Sequence, residues 1–237
     1  MPVFGMVCCG SLEGATAPLP PPRPAELGRP SAAPPRPHEN KTQAAEPTEP
    51  SEALNCLDEL RAAGVEAEAE LPPSSANVAC VIEMPVRLKT VRPRSGAPVR
   101  FADQPIVACG FAKPLTHWVG QLVAPFLAAS LGAELKAVRS GPGYVCRNRN
   151  SVKEGKLSAH ATGIAIDLSG FEMQDGRTLA IKPGKDGEIA SALQLVRSAA
   201  CGWLTTILGP GSDTAHTDHL HLDIERHGST DRYRICQ

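Results

Sequence analysis

The sequence predicts an α+β domain over residues 53–237: a small antiparallel sheet with flanking helices, stabilised by disulfides. Three observations predict it. Helical-period and alternating apolar runs are mixed without a regular strand–helix–strand beat, which fits helices packed on a largely antiparallel sheet. Six of the eight cysteines, at Cys56, Cys80, Cys109, Cys146, Cys201 and Cys236, are scattered through this part and never form a Cys-x-x-Cys pair. That spacing argues against zinc ribbons and redox motifs and for three disulfides in an oxidising compartment. Finally, composition changes sharply near residue 52: 12 of the 23 prolines lie in the first 50 residues, with almost no large apolar side chain beside them. Residues 1–52 cannot bury enough apolar surface to offset the entropy of ordering, so they read as an extended, disordered stalk.

Taken in order, Leu54, Leu57 and Leu60 mark a short amphipathic helix that stops at Gly64. A polar stretch follows. A longer helix is expected from Pro114, a good first helical residue, with Leu115, Trp118, Val119, Leu122, Phe126 and Leu127 on its apolar face, a kink at Pro125 and an end at Gly132. Ile189, Leu193, Val196 and Ala200 predict another helix before Gly202. Short strands are expected at Leu135–Val138, Ile164–Leu168, Thr178–Ile181, Trp203–Leu208 and Leu220–Ile224. Proximity alone pairs Cys56 with Cys80 and Cys201 with Cys236, leaving Cys109 for Cys146.

Composition also excludes functions. A net charge of −1 and 4% aromatic residues leave no basic, aromatic-rich surface for nucleic acid. No run of about 18 apolar residues is present, so no transmembrane helix is expected. Disulfides and a stalk together imply an exported domain, periplasmic or otherwise in the cell envelope. Met1–Gly10 is apolar but short and lacks a basic start; it reads as the remnant of a signal that starts upstream, or as a clipped segment with a lipid anchor at Cys8 or Cys9.

Four of the seven histidines fall in two segments. In Gly209–Asp223, a strand over Leu220–Ile224 puts His219, His221 and Asp223 on one face and sends Leu220 and Leu222 to the core. Two imidazoles on one face suit a metal site, or a metal ligand beside a proton carrier. In Ser158–Asp167, Gly163 allows a close turn between His160 and a strand on which Asp167 points opposite to Ile164 and Ile166. One carboxylate and two imidazoles, His160, Asp167 and His221, make a three-ligand zinc set with an open fourth position, the pattern of catalytic sites. Asp213 and Asp223 are placed to orient ligand histidines through their second ring nitrogen. His117, His227 and Tyr144 read as structural residues.

Ser158-x-His160-x-x-Gly163-x-Ala165-x-Asp167 followed by His219-Leu220-His221 resembles the metallopeptidase superfamily of lysostaphin-type enzymes, D-Ala-D-Ala peptidases and the hedgehog domain. His216-x-x-His219-x-His221 is similar to penicillin-insensitive murein endopeptidases. With Cys109-Gly110, Gly143–Arg147, Gly170-Phe171 and Leu208–Pro210, the chain from about Cys56 to Cys236 resembles the bacterial extensin-like C-terminal domain. Two positions depart from these patterns: Ala159 stands where Glu is usual, and Ile164 where the extensin-like group tends to have Asn.

The resemblance implies a hedgehog or D-Ala-D-Ala-peptidase-like fold, one Zn2+ ion on His160, Asp167 and His221, and His219 as catalytic base. Asp218 occupies the base position of the dipeptidase branch, His216 belongs to the endopeptidase-like histidine run, and Arg147 corresponds to a contact for substrate carboxylate or oxyanion. It implies a monomeric peptidoglycan hydrolase, an endopeptidase or carboxypeptidase, or alternatively a zinc-containing wall-binding domain without catalysis.

Overall fold

The computed structural model describes residues 50–182, 187–229 and 233–237. The N-terminal segment expected as a stalk, with Cys8 and Cys9, lies outside them.

Helix α1 (Pro50–Ala62) ends at Gly64, whose φ of +77° closes the turn into strand β1 (Val65–Ala69). The stretch that looked merely polar carries three further strands: β2 (Pro85–Val91), β3 (Val99–Phe101) and β4 (Ile106–Ala108). Val86, Leu88, Val91, Val99, Phe101 and Val107 are all buried. Their apolar positions are interleaved with Arg and Lys that cover the outer face, which masks the alternation in so short a run.

One long helical run follows β4. Helix α2 (Cys109–Trp118) starts five residues earlier than Pro114 predicted, so that proline sits inside the first turns. A π-helical turn, Val119–Val123, then precedes helix α3 (Ala124–Leu131). Pro125 at the start of α3 has no N–H to donate, and the wider turn absorbs the mismatch that a kink would otherwise take up. Strand β5 (Leu135–Ser140), strand β6 (Ala165–Met173), strand β7 (Thr178–Ala180), helix α4 (Glu188–Ala200), strand β8 (Thr206–Leu208), strand β9 (Leu220–Asp223) and strand β10 (Ile235–Cys236) complete the order. In α4 the buried residues are Ala192, Val196 and Ala200, while Ile189 is 41% exposed, so the apolar face is rotated from the one expected.

The domain is α+β, but its sheet is neither small nor wholly antiparallel. Ten strands form it, in the order β1-β2-β3-β5-β6-β9-β8-β10, with β4 on β2 and β7 on β6. The β3–β5 and β8–β10 pairs are parallel and the others antiparallel. The core lies between the sheet and the helical run: Phe111, Leu115, Trp118 and Leu127 pack with Leu88, Phe101, Val138 and Phe171. Burying a side chain of that size contributes about 1.5–3 kcal/mol.

Three disulfides are present among the described residues: Cys56–Cys109, Cys80–Cys146 and Cys201–Cys236. The last agrees with proximity in sequence; the pairings Cys56–Cys80 and Cys109–Cys146 do not form. Tertiary structure decides this, because β2 and β4 pair through Pro85–Ala108 and carry Cys109 back to α1. Cys80 is left beside the loop that follows β5. No helix among the described residues is long and apolar enough to cross a membrane.

Candidate metal centre

Register builds the site. Across the β6–β9 pair, Asp167 lies opposite His221 and Ala165 opposite Asp223; across β8–β9, Thr206 lies opposite Asp223. Directly opposed residues share a face, so Asp167, His221, Asp223 and Thr206 gather on one side of the sheet. Ile166, Leu168, Leu220 and Leu222 take the other side and are essentially fully buried. A slip of one residue would exchange the two sets, so the same aliphatic residues that form the core hold the polar ones in place.

His160 arrives from a short 3-10 turn, Ala159–Thr162, just before β6. The hydroxyl of Ser158 caps this turn, and Gly163 ends it at φ +68°. A Cβ at Gly163 would lie 2.3 Å from Ile82 Cδ1, so the close turn expected here has no room for a side chain.

Three donor atoms converge. His160 Nε2 is 3.2 Å from His221 Nδ1 and 3.2 Å from Asp167 Oδ1, and His221 Nδ1 is 2.9 Å from Asp167 Oδ1. A tetrahedral zinc ion with bonds of about 2.0–2.1 Å has ligand–ligand edges of about 3.3–3.4 Å, so these atoms would separate by only a few tenths of an ångström to hold one. The donor set is hard enough and nitrogen-rich enough for zinc. This trio is the one group of three possible metal ligands among the described residues.

The second nitrogen of each ring is also committed. His160 Nδ1–H donates to the Gly143 carbonyl at 2.7 Å, which leaves Nε2 as the ligand atom. His221 Nε2–H donates to Asp223 Oδ2 at 3.0 Å, which leaves Nδ1. Such partners select the tautomer a metal requires. Gly143 is a contact that sequence reading missed. Its φ of +82° and its backbone pressed against Ile106, where a Cβ would be 2.4 Å from the carbonyl oxygen, place that acceptor.

Electrostatics follow from the same contacts. Burial on its own raises the Asp167 carboxyl, but hydrogen bonds and charge from His160 and His221 outweigh it and hold the group far below the ordinary carboxylate range. Burial on its own lowers His221, yet the Asp167 and Asp223 carboxylates on its two nitrogens push it up to about 9. Without metal, His221 therefore carries a second proton at neutral pH.

Arg147, His216 and His219 line a cleft of about 540 Å³ together with Asp167 and His221. His219 Nε2 is 3.8 Å from Asp167 Oδ1, and its Nδ1–H donates to Asp218 Oδ1 at 2.9 Å. Asp218 thus touches the far side of the His219 ring, with its own side chain 81% exposed. His216 donates from Nδ1 to Asp213 Oδ1 at 2.7 Å, and its ring lies 5.3 Å from that of His219 and 5.5 Å from that of His221. Arg147 Nη2 reaches Asp167 Oδ2 at 3.4 Å. Asp223 holds the second nitrogen of His221, as expected; Asp213, expected to do the same for a ligand histidine, instead pairs with His216, which is not one of the trio.

His117 lies edge-on to Trp203 outside the cleft, and Tyr144 donates to the Cys80 carbonyl at 3.2 Å; both are structural. His227 departs from the sequence expectation. It lines the cleft and its Nε2 is 2.7 Å from Thr206 Oγ1. Nothing in the local sequence of His227 or Thr206 marks them, because only the β8–β9 pairing brings them near Asp223.

The chain belongs to the family described as "Extensin-like protein C-terminus", whose model matches residues 54–237. No curated protein and no solved structure matches the chain significantly.

Proposed function

We propose that the domain is a zinc-dependent peptidase that hydrolyses stem peptides or cross-links of peptidoglycan in the cell envelope. The observation that carries this reading is the triangle of His160 Nε2, Asp167 Oδ1 and His221 Nδ1, with sides of 2.9–3.2 Å, whose Asp167 and His221 corners line an open cleft. A closed fourth ligand would make such a site structural; three protein ligands leave a position for chemistry. His160, Asp167 and His221 would hold the zinc ion, which would supply a Lewis acid for a scissile carbonyl and for the attacking water.

His219 takes the proton and returns it to the leaving amine. Its Nε2 faces the Asp167 ligand, and Asp218 holds Nδ1–H, so the ring presents a basic nitrogen to the cleft. In this reading Asp218 orients the base and is not its rival. Arg147, tethered to Asp167 by a long hydrogen bond, is free to turn to a substrate carboxylate or developing oxyanion. His216, its Nδ1–H held by Asp213, presents Nε2 as a further acceptor on the same wall.

Substrate class rests on the resemblance of Ser158–Asp167 and His216–His221 to murein peptidases. Three disulfides in one domain support export. A kinship of fold with the hedgehog and D-Ala-D-Ala peptidase superfamily is part of the same proposal.

Metal analysis of the purified protein, paired with muropeptide profiling of digested cell wall, tests it. One zinc per chain and new cleavage products, both lost in His221→Ala, are the expected results. A zinc-loaded domain that leaves every cross-link type intact would overturn the peptidase assignment in favour of wall binding. Absence of bound metal would overturn the site itself.

A further inference from the structure

We propose that Arg149 is a specificity-determining residue that binds a second carboxylate of the substrate, distinct from the group that Arg147 meets; the inference deepens the peptidase reading and takes its substrate class from it. Residues 147–158 form a hairpin along one edge of the cleft. Its legs are joined by Arg149 N–H to the Lys156 carbonyl at 3.0 Å and by Ser158 N–H to the Arg147 carbonyl at 3.1 Å, with Asn148 bridged to Leu157. Asn148 is extended, at φ −73° and ψ 164°, and its side-chain amide closes the hairpin on the Val152 and Lys153 carbonyls at 3.2 and 3.0 Å. Alternation sends Arg147 and Arg149 to the opposite face, and both line the cleft.

Glu225 meets this hairpin from the end of β9. Its backbone is fixed on both sides: the N–H donates to Asp223 Oδ1 at 2.9 Å and the carbonyl accepts from Thr205 Oγ1 at 2.7 Å. Its carboxylate, 20% exposed, accepts from Arg149 Nη2 on Oε2 at 2.6 Å and from Lys156 Nζ on Oε1 at 2.7 Å. Cations as exposed as these add little to stability through such pairs, so fold stability does not account for the triad. Two cations share one carboxylate, which leaves one positive charge unbalanced. Arg149 is the cation that lines the cleft, and of its guanidinium nitrogens only Nη2 has a partner among the described residues. Nε–H and Nη1–H are left for a two-pronged contact with a carboxylate. An ammonium group would meet net repulsion there. Same-face residues of an extended leg stand about 7 Å apart, so this second carboxylate lies about that far from the group at Arg147. It therefore belongs to a side chain near the scissile bond, as in a wall peptide whose diamino acid carries a side-chain carboxylate.

Matched wall peptides whose diamino acid carries that carboxylate, carries it as an amide, or lacks it test the assignment. Affinity is measured by NMR titration of the metal-free full chain, and cleavage of the same peptides by the zinc-loaded protein is followed in parallel. The carboxylate peptide is expected to bind about 10-fold more tightly than the other two. Arg149→Gln should erase that preference, and Arg149→Lys, which keeps the charge but not the fork, should keep only part of it. Equal affinity of wild type for the three peptides, or failure of all three to bind, would overturn the subsite. So would a preference that survives Arg149→Gln, or a variant that weakens all three alike while melting as wild type does. If the zinc-loaded protein cuts none of them, the peptidase reading falls while the binding preference still decides the subsite.

Discussion

His221 Nδ1 stands 2.9 Å from Asp167 Oδ1 because the two residues lie directly opposite each other on neighbouring antiparallel strands. The contact joins segments more than fifty residues apart and places a ring nitrogen between a carboxylate oxygen and the second imidazole. Its consequences can be measured.

Proton and metal compete at this point. His221, raised to about 9, must lose a proton before Nδ1 can bind zinc. Calorimetric titration at pH 7 in buffers of different ionisation enthalpy should therefore show proton release on zinc uptake, and affinity should climb as pH rises from 7 toward 9. Uptake without proton release contradicts the assignment of His221 as a ligand.

Stability of the metal-free domain should depend on pH with a definite sign. A raised His221 contributes stability that is fully present below its unfolded value of 6.5 and is lost as pH rises through about 9. Asp167, lowered from 3.8, contributes stability present above that value and lost as pH falls well below it. Denaturant midpoints should thus be highest between about pH 4 and 6.5 and decline toward 9. Zinc loading should remove the alkaline decline, since the metal replaces the proton.

His219→Ala should keep one zinc per chain and lower the hydrolytic rate by about 10²- to 10⁴-fold. Asp218→Asn should cost less, because it disturbs only the orientation of the ring. Full activity of His219→Ala on muropeptides would remove His219 from the reaction.

Gly143→Ala should cost more than a typical glycine replacement. The new Cβ meets the Ile106 carbonyl at 2.4 Å on a backbone with φ +82°, and relief of that clash displaces the acceptor of His160 Nδ1–H. A loss of about 2 kcal/mol or more in unfolding free energy, with weaker zinc binding, is expected. Wild-type affinity in this variant would show that Gly143 does not orient His160.

Peptide mapping without reduction should recover Cys80 joined to Cys146. Closing a loop of 66 residues, this bridge is expected to contribute about 4 kcal/mol. It also anchors the segment that carries Arg147, so the Cys80→Ser, Cys146→Ser double variant should lose more activity than the corresponding Cys201, Cys236 variant.

Much of the candidate site was legible before folding, because the residues that form it sit next to strong local signals. His160, Gly163 and Asp167 lie within one turn and one strand, and the alternation around Leu220 and Leu222 sets the face of His221. The α+β class, the helices near residues 53–63 and 189–200, and the Cys201–Cys236 pair follow from period and proximity in the same way. Tertiary structure decided what depends on pairing between distant segments. It set the ten-strand sheet with its two parallel pairs, the Cys56–Cys109 and Cys80–Cys146 bridges, the Gly143 carbonyl on His160, and the Thr206–His227 contact. Side-chain periodicity tells which face a residue takes within its own element; only the register between strands tells which residue of another element it meets.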